Sequence, residues 1–217
     1  MRYKFIRNSS GKDILILNFL GWSTDECLAE TLTNDNADTL AIWDYRDMRF
    51  DYSILHCYKH IKIFAWSLGV FAAAYTFNGI SDCICESIAV AGTKTPVSDT
   101  KGINTYIYDQ TMNGLSEQSL QKFRIRMCGG RKTSDKFLNL FKNNDIETLR
   151  QELSTIKSMA YKYCNLDFQF TKVYLTENDK IFSLENQQKA WENAKNKETV
   201  PSEHFDLALF QNIYSTL

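Results

Sequence analysis

Ser67 stands between Ala65 and Gly69, within Lys62-Ile63-Phe64-Ala65-Trp66-Ser67-Leu68-Gly69-Val70-Phe71-Ala72-Ala73-Ala74-Tyr75. This stretch opens as a short apolar run of β-formers and continues as a helix of small and apolar residues. A serine hydroxyl is a weak nucleophile until an adjacent base takes its proton and a third group orients that base. A small residue two positions before a serine and a glycine two positions after, at a strand-to-helix turn, is the spacing of a nucleophile elbow, here with alanine replacing the first glycine. The turn lifts Ser67 Oγ clear of the sheet and aims the N-terminal amides of the next helix where negative charge develops. Neighbouring backbones come close at such a turn, so the flanking positions must be small; Gly69 meets that demand fully and Ala65 less so. A buried serine in an ordinary strand–helix join is the alternative, and the partners of Ser67 must decide between the two.

In an α/β-hydrolase those partners follow the serine in the order acid, then histidine. The chain has three histidines. His56 and His60 precede Ser67, which leaves His204, in a loop just before the final helix. Asp179 lies beyond the C-terminal end of a predicted buried strand, where ligand sites of open α/β sheets collect. Its carboxylate would accept Nδ1–H of His204 and stabilise the imidazolium formed during attack. Alone, Asp179 reads as a turn or N-cap residue and His204 as a surface loop histidine. Their joint occurrence in the required order, each at an expected element boundary, favours a triad. Glu177 and Asp206 are weaker candidates for the acid. An oxyanion hole needs two N–H donors: the amide of Leu68, directly after the nucleophile, and that of Trp22, after the strand ending at Phe19. Gly21 permits the close approach, and the Trp22 indole would wall the acyl pocket.

The elements that must position these residues read as alternating strands and helices. Tyr3–Arg7 alternates like a first strand and residues 8–12 form a turn. Ile14–Phe19 is a continuous apolar run, the mark of a strand buried on both faces. Ser23-Thr24-Asp25 can cap a helix reaching about Thr33. Thr39–Asp44 is a third strand, and a short helix spans Tyr52–Lys59. After the elbow helix, Leu68–Phe77, comes a strand at Cys83–Ala91, with Cys83 and Cys85 two positions of one buried strand. The rhythm then breaks. From Gly92 to Leu166 the only strand-like piece is Tyr106-Ile107-Tyr108; helical patterns lie near Ser116–Arg126, Ser134–Lys142 and Ile146–Tyr163. Thr171–Thr176 restores the strand pattern, followed by helices at Leu184–Ala194 and Asp206–Tyr214. The fold class expected is α/β: an α/β-hydrolase fold with a mostly parallel central sheet and helices on both faces. Residues 1–91 and 167–217 form its core, and 92–166 an inserted helical lid.

Composition narrows the function classes. A chain of 217 residues, 44% hydrophobic and 13% aromatic, suits one globular unit with a real core. Twenty-five Lys+Arg against twenty-six Asp+Glu leave a net charge of −1, so no global basic field points to nucleic acid. The six cysteines show no C-x-x-C pair and no zinc spacing. The start, Met1-Arg2-Tyr3-Lys4-Phe5, lacks the apolar core of a signal peptide, and no apolar run is long enough for a membrane span. A reduced, cytoplasmic setting is expected. His56 and His60, at i, i+4, would share a helix face, but no H-E-x-x-H accompanies them and a structural role is expected. Arg46 is expected to be held by Asp44, Asp47 or Asp51. Lys122, Arg124, Arg126, Arg131, Lys132 and Lys136 make one locally basic segment. It reads as a solvated helix face, as a docking surface for an acidic carrier protein, or as a contact for the phosphates of a coenzyme A thioester.

Together, Phe19-Leu20-Gly21-Trp22, Asp44-Tyr45-Arg46-Asp47, Ala65-Trp66-Ser67-Leu68-Gly69-Val70, Phe123-Arg124-Ile125-Arg126-Met127-Cys128 and Glu177-Asn178-Asp179-Lys180-Ile181-Phe182 resemble the BioG-type pimeloyl-acyl-carrier-protein methyl ester esterases. The likeness runs over most of the chain. The resemblance implies cleavage of the methyl ester of pimeloyl carrier protein, releasing methanol and the free pimeloyl thioester used in biotin synthesis. It assigns Ser67, Asp179 and His204 as nucleophile, orienting acid and base, and Leu68 and Trp22 as the hole. It places acyl carrier protein at the basic lid residues Lys122, Arg124, Arg126, Arg131 and Lys132. Acyl transfer of this kind needs no metal or organic cofactor. A broader carboxylesterase or thioesterase with the same machinery is the nearest rival, and a non-catalytic hydrolase-fold binding protein the next.

Overall fold

The computed structural model describes residues 1–9, 11–32, 34–80, 83–142 and 145–217. Among them, seven strands form one sheet in the order β1-β3-β2-β4-β5-β6-β7: β1 (Arg2–Arg7), β2 (Ile14–Phe19), β3 (Asp38–Trp43), β4 (His60–Trp66), β5 (Ile84–Val90), β6 (Lys172–Thr176) and β7 (Lys197–Val200). Only β1 runs antiparallel, against β3; the other pairs are parallel. The apolar runs of β2, β3 and β4 are explained by helices on both faces. Along β2, Leu15, Leu17 and Phe19 pack on one side with Val70 and Phe71 of α2 (Leu68–Thr76) and Leu149 and Leu153 of α6 (Ile146–Lys162). Ile16 points the other way, toward Leu28 of α1 (Glu26–Ala29) and Phe210, Ile213 and Tyr214 of α8 (Leu207–Thr216). That alternation is the two-residue period of a strand buried twice.

Between β5 and β6 lie α3 (Thr105–Asn113), α4 (Glu117–Met127), α5 (Arg131–Ser134) and α6. Tyr106-Ile107-Tyr108 belongs to α3 and is not a strand. The Asn104 side chain caps that helix by accepting from Ile107 N at 3.2 Å, and Tyr108 is buried while Tyr106 is 70% exposed. Instead of one helix over Ser134–Lys142 there are the short α5 and a 3₁₀ turn, Leu138–Leu140. The expected helix at Tyr52–Lys59 is a 3₁₀ helix ending at Cys57. His60 already opens β4, so His56 and His60 share no helix face. Cys83 and Cys85 are exposed, because β5 becomes buried only from Ser87 onward. The first helix is a single turn capped by Asp25; its expected end at Thr33, and Ser10 in the expected first turn, lie outside the described residues. β6 is followed by α7 (Leu184–Ala190), shorter than expected, and by β7, a polar edge strand that carries no apolar alternation.

Candidate active site

Ser67 occupies the turn between β4 and α2 with φ 58° and ψ −127°, a conformation that costs energy for any residue with a Cβ. The surroundings impose it. Ser67 N donates to Val90 O of β5 at 3.1 Å, and Ser67 O accepts from Val70 N at 3.1 Å. α2 then crosses so close to β2 that a Cβ on Gly69 would lie 2.2 Å from the Phe19 carbonyl oxygen, which is why a glycine stands two residues after the serine.

The loop after β7 carries His204 back to this turn. Its Nε2 is 2.9 Å from Ser67 Oγ, and its Nδ1 is 2.8 Å from Asp179 Oδ2. The imidazole stacks on Phe182, with centroids 5.9 Å apart and planes at 11°, and its backbone is tied by Trp66 Nε1 donating to His204 O at 2.9 Å. Asp179 follows β6 in a turn that closes on its own carboxylate. Oδ1 accepts from Ile181 N at 2.7 Å and Phe182 N at 2.9 Å, while Oδ2 accepts from Thr176 Oγ1 at 3.0 Å. A carboxylate with those donors can only accept from the ring, which places the proton on Nδ1 and leaves Nε2 to accept from the serine hydroxyl. Ser67, Asp179 and His204 are 5%, 7% and 1% exposed, so this chain of hydrogen bonds sits where electrostatic effects are strong. In front of Ser67 is a cavity of about 80 Å³ walled mainly by apolar groups: Trp22, Leu68, Ile103, Tyr108, Phe123, Leu153 and Ile181. Arg126 and Lys180 also line it.

The family model for pimeloyl-ACP methyl esterase BioG matches residues 1–216. The chain belongs to the BioG family. The crystal structure of BioG from Haemophilus influenzae superposes with a TM-score of 0.87 at 31% identity, covering 97% of each chain. A Bacteroides fragilis protein named malonyl-[acyl-carrier protein] O-methyltransferase is 34% identical over 192 residues. That match covers 88% of this chain but only 39% of the longer relative. An esterase from Exiguobacterium antarcticum shares the α/β-hydrolase fold at a TM-score of 0.70 and 11% identity, covering 99% of this chain and 92% of the other.

In this BioG-family chain the remaining expected residues fall into two groups. Leu68 is the first residue of α2, so its amide is one the helix leaves unused, and Trp22 walls the same cavity as Ser67. The Trp22 indole donates to Leu149 O at 3.0 Å and meets the Phe123 ring edge-on, at a centroid distance of 4.9 Å. Lys122 and Arg126 on α4, Arg131 and Lys132 on α5, and Lys136 are exposed. Arg124 is not. It is 6% exposed, its guanidinium lies over the Phe141 ring and Nη2 donates to Ser23 O at 3.0 Å, so it turns inward and does not join an outer basic surface. Burial lowers its pKa to about 10, against the opposing pull of Asp25. Glu177 is exposed, and Asp206 caps α8 by accepting from Leu209 N; neither carboxylate is hydrogen-bonded to His204. Arg46 is held by Asp44 in a two-pronged pair, both N–O distances 2.7 Å.

Sequence reasoning missed the residues that hold Ser67, His204 and Asp179 in place. Trp66, Phe182 and Thr176 lie within quoted stretches, but none has an individual role in the sequence analysis. The available signal was position: Trp66 adjoins Ser67, and Thr176 and Phe182 bracket Asp179 by three residues on each side. Among the described residues no helix is long and apolar enough to cross a membrane.

Proposed function

We propose that this protein is a serine esterase that hydrolyses the methyl ester of pimeloyl-acyl-carrier protein, in the service of biotin synthesis. The observation that carries this reading is the unbroken hydrogen-bonded path Ser67–His204–Asp179 facing an apolar cavity in a BioG-family chain. In the first half-reaction His204 Nε2 takes the proton of Ser67 Oγ as the oxygen attacks the ester carbonyl. The negative oxygen of the tetrahedral intermediate is received by the amides of Leu68 and Trp22. The intermediate expels methoxide, which leaves as methanol with the proton from His204. A water molecule, deprotonated by the same nitrogen, then attacks the acyl-enzyme and returns Ser67 to its hydroxyl form. Asp179 keeps the imidazole in its tautomer and supports the imidazolium in both halves.

The helices in residues 92–166 serve as the lid over this site, and acyl carrier protein docks on the outward cations Lys122, Arg126, Arg131 and Lys132. Complementary charge of this kind speeds encounter and selects partners. The test is Ser67→Ala, assayed on a short p-nitrophenyl ester and on methyl pimeloyl-carrier protein. Loss of roughly 10³-fold or more in kcat with an unchanged far-UV spectrum is expected. Activity near wild type in that variant overturns the serine mechanism. Turnover of the small ester but not the carrier substrate by the wild-type protein overturns the substrate assignment.

A further inference from the structure

The loop that follows β2, Leu20–Ser23, bears Trp22, and it presses on the nucleophile: a Cβ on Gly21 would lie 2.8 Å from the Trp66 ring and 3.1 Å from Ser67 Cβ. Two of its carbonyls are held by side chains from distant parts of the chain. The Tyr45 hydroxyl donates to Leu20 O at 2.7 Å, from the core side. The Arg124 guanidinium donates to Ser23 O at 3.0 Å, from α4. Both donors are buried, and Ser23, between Trp22 and the α1 cap, has a φ of 66°. A non-glycine residue at that φ persists only where the surroundings enforce it. The Arg124 guanidinium is fixed there by this bond and by its contact with the Phe141 ring, 5.7 Å from the ring centroid. Tyr45 and Arg124 also come from Asp44-Tyr45-Arg46-Asp47 and Phe123-Arg124-Ile125-Arg126-Met127-Cys128, two stretches whose chemistry the triad leaves unused.

We infer that Tyr45 and Arg124 are positioning residues that brace the Leu20–Ser23 loop from its two sides and so hold the Trp22 amide against the oxyanion formed at Ser67. The inference rests on the proposed role of Trp22 in the hole. It makes α4 part of the catalytic apparatus: a hole donor displaced by a fraction of an ångström weakens its bond to a charge that exists only in the transition state. The loss therefore falls on kcat, not on KM.

The experiment compares Arg124→Met, Arg124→Lys and Tyr45→Phe with wild type on a short p-nitrophenyl ester. A short-chain trifluoromethyl ketone, whose adduct with Ser67 carries an oxyanion, is titrated in parallel. Removing a hole donor outright costs about 10²–10³-fold in kcat, so losing one brace is expected to cost less: roughly 10- to 100-fold for Arg124→Met and about fivefold for Tyr45→Phe. KM should stay within about twofold, and the ketone's Ki should rise by the factor that kcat/KM falls. Arg124→Lys, which keeps a donor, should recover part of the loss. Folded Arg124→Met and Tyr45→Phe proteins with wild-type kcat and Ki overturn the inference, as does a change confined to KM. Should Arg124→Met fail to fold, Tyr45→Phe decides alone, since it removes one oxygen and keeps the ring. Ser67→Ala, run alongside, separates the two failures: if it stays active the nucleophile reading falls, whereas if it is dead and the brace variants are normal, only the brace falls.

Discussion

On the β4–α2 side of the cavity, position is set by main chain against main chain. Ser67 N bonds to β5, Val70 N bonds to Ser67 O, and Gly69 lies against the Phe19 carbonyl with no room for a side chain. On the side of α4 and α6 it is set by single side-chain contacts: Arg124 on Ser23 O, the Trp22 indole on Leu149 O, and Glu152 on the Tyr45 amide. A backbone lattice admits few residue types and announces itself in sequence. Side-chain contacts across an interface admit many, and they can be altered one at a time without unmaking the sheet. The cavity is therefore rigid on its β4–α2 side, the floor, and adjustable on the side of α4 and α6, the roof.

Asp179→Asn strikes the rigid side hardest. Two amides, Ile181 N and Phe182 N, require an oxygen at the Oδ1 position, so the new NH₂ must take the place of Oδ2 and face His204 Nδ1. Nδ1 would then have to accept, which puts the ring proton on Nε2, pointing at Ser67. A wrong tautomer of this kind costs about 10³–10⁴-fold in kcat with geometry otherwise intact. The measurement is kcat on a short ester in a variant with an unaltered melting temperature. A loss under tenfold would mean that the turn around Asp179 yields and lets the new amide present its oxygen to His204.

Charge reversal on the adjustable side should act on binding instead. Arg131→Glu with Lys132→Glu changes two residues of α5, neither of which lines the cavity. It is expected to raise KM for the carrier-bound substrate about tenfold, several times more than KM for a short ester, with the gap closing as salt is added. Equal losses on both substrates would assign α5 to support of the fold and remove it from the docking surface.

Much of the floor was legible because its constraints are local. A small-x-Ser-x-Gly spacing between a β-run and an apolar helix fixes the elbow, and the order of Ser67, Asp179 and His204 supplies the rest. The roof was harder to read. Tyr106-Ile107-Tyr108 has strand-like composition, yet an Asn104 cap and the bond from the Tyr108 hydroxyl to Leu153 O at 2.9 Å draw it into a helix. β7 has no apolar face, since an edge strand needs only a neighbour's backbone. Arg124 groups with its basic neighbours along the sequence, but the helical period separates them. Lys122 and Arg126, four residues apart, share a face of α4, and Arg124 stands on the opposite side. Leu120 and Met127, four residues before Arg124 and three after it, mark that side as the one that meets the core.

Glu152 offers the gentlest probe of the roof. It is 2% exposed on α6, with Oε1 accepting from Tyr45 N at 3.1 Å. Burial raises its pKa from 4.5 to about 8; Asp44 pushes the same way, while the Tyr45 amide, Arg46 and the chain's amino terminus pull down. Below the ordinary value both folded and unfolded chains carry the proton, and folding is indifferent to pH at this group. Between the two values the unfolded chain ionises and the folded one does not, so stability falls as pH rises, and the loss is complete above the folded value. Glutamine keeps the acceptor and removes the titration. Glu152→Gln should thus match wild type near pH 4.5 and exceed it by a margin that widens as pH rises to 8, read as a difference in Tm that grows with pH. A difference that does not change with pH would show that Glu152 ionises as freely in the folded protein as outside it. The roof would then hold Tyr45 at no cost in stability.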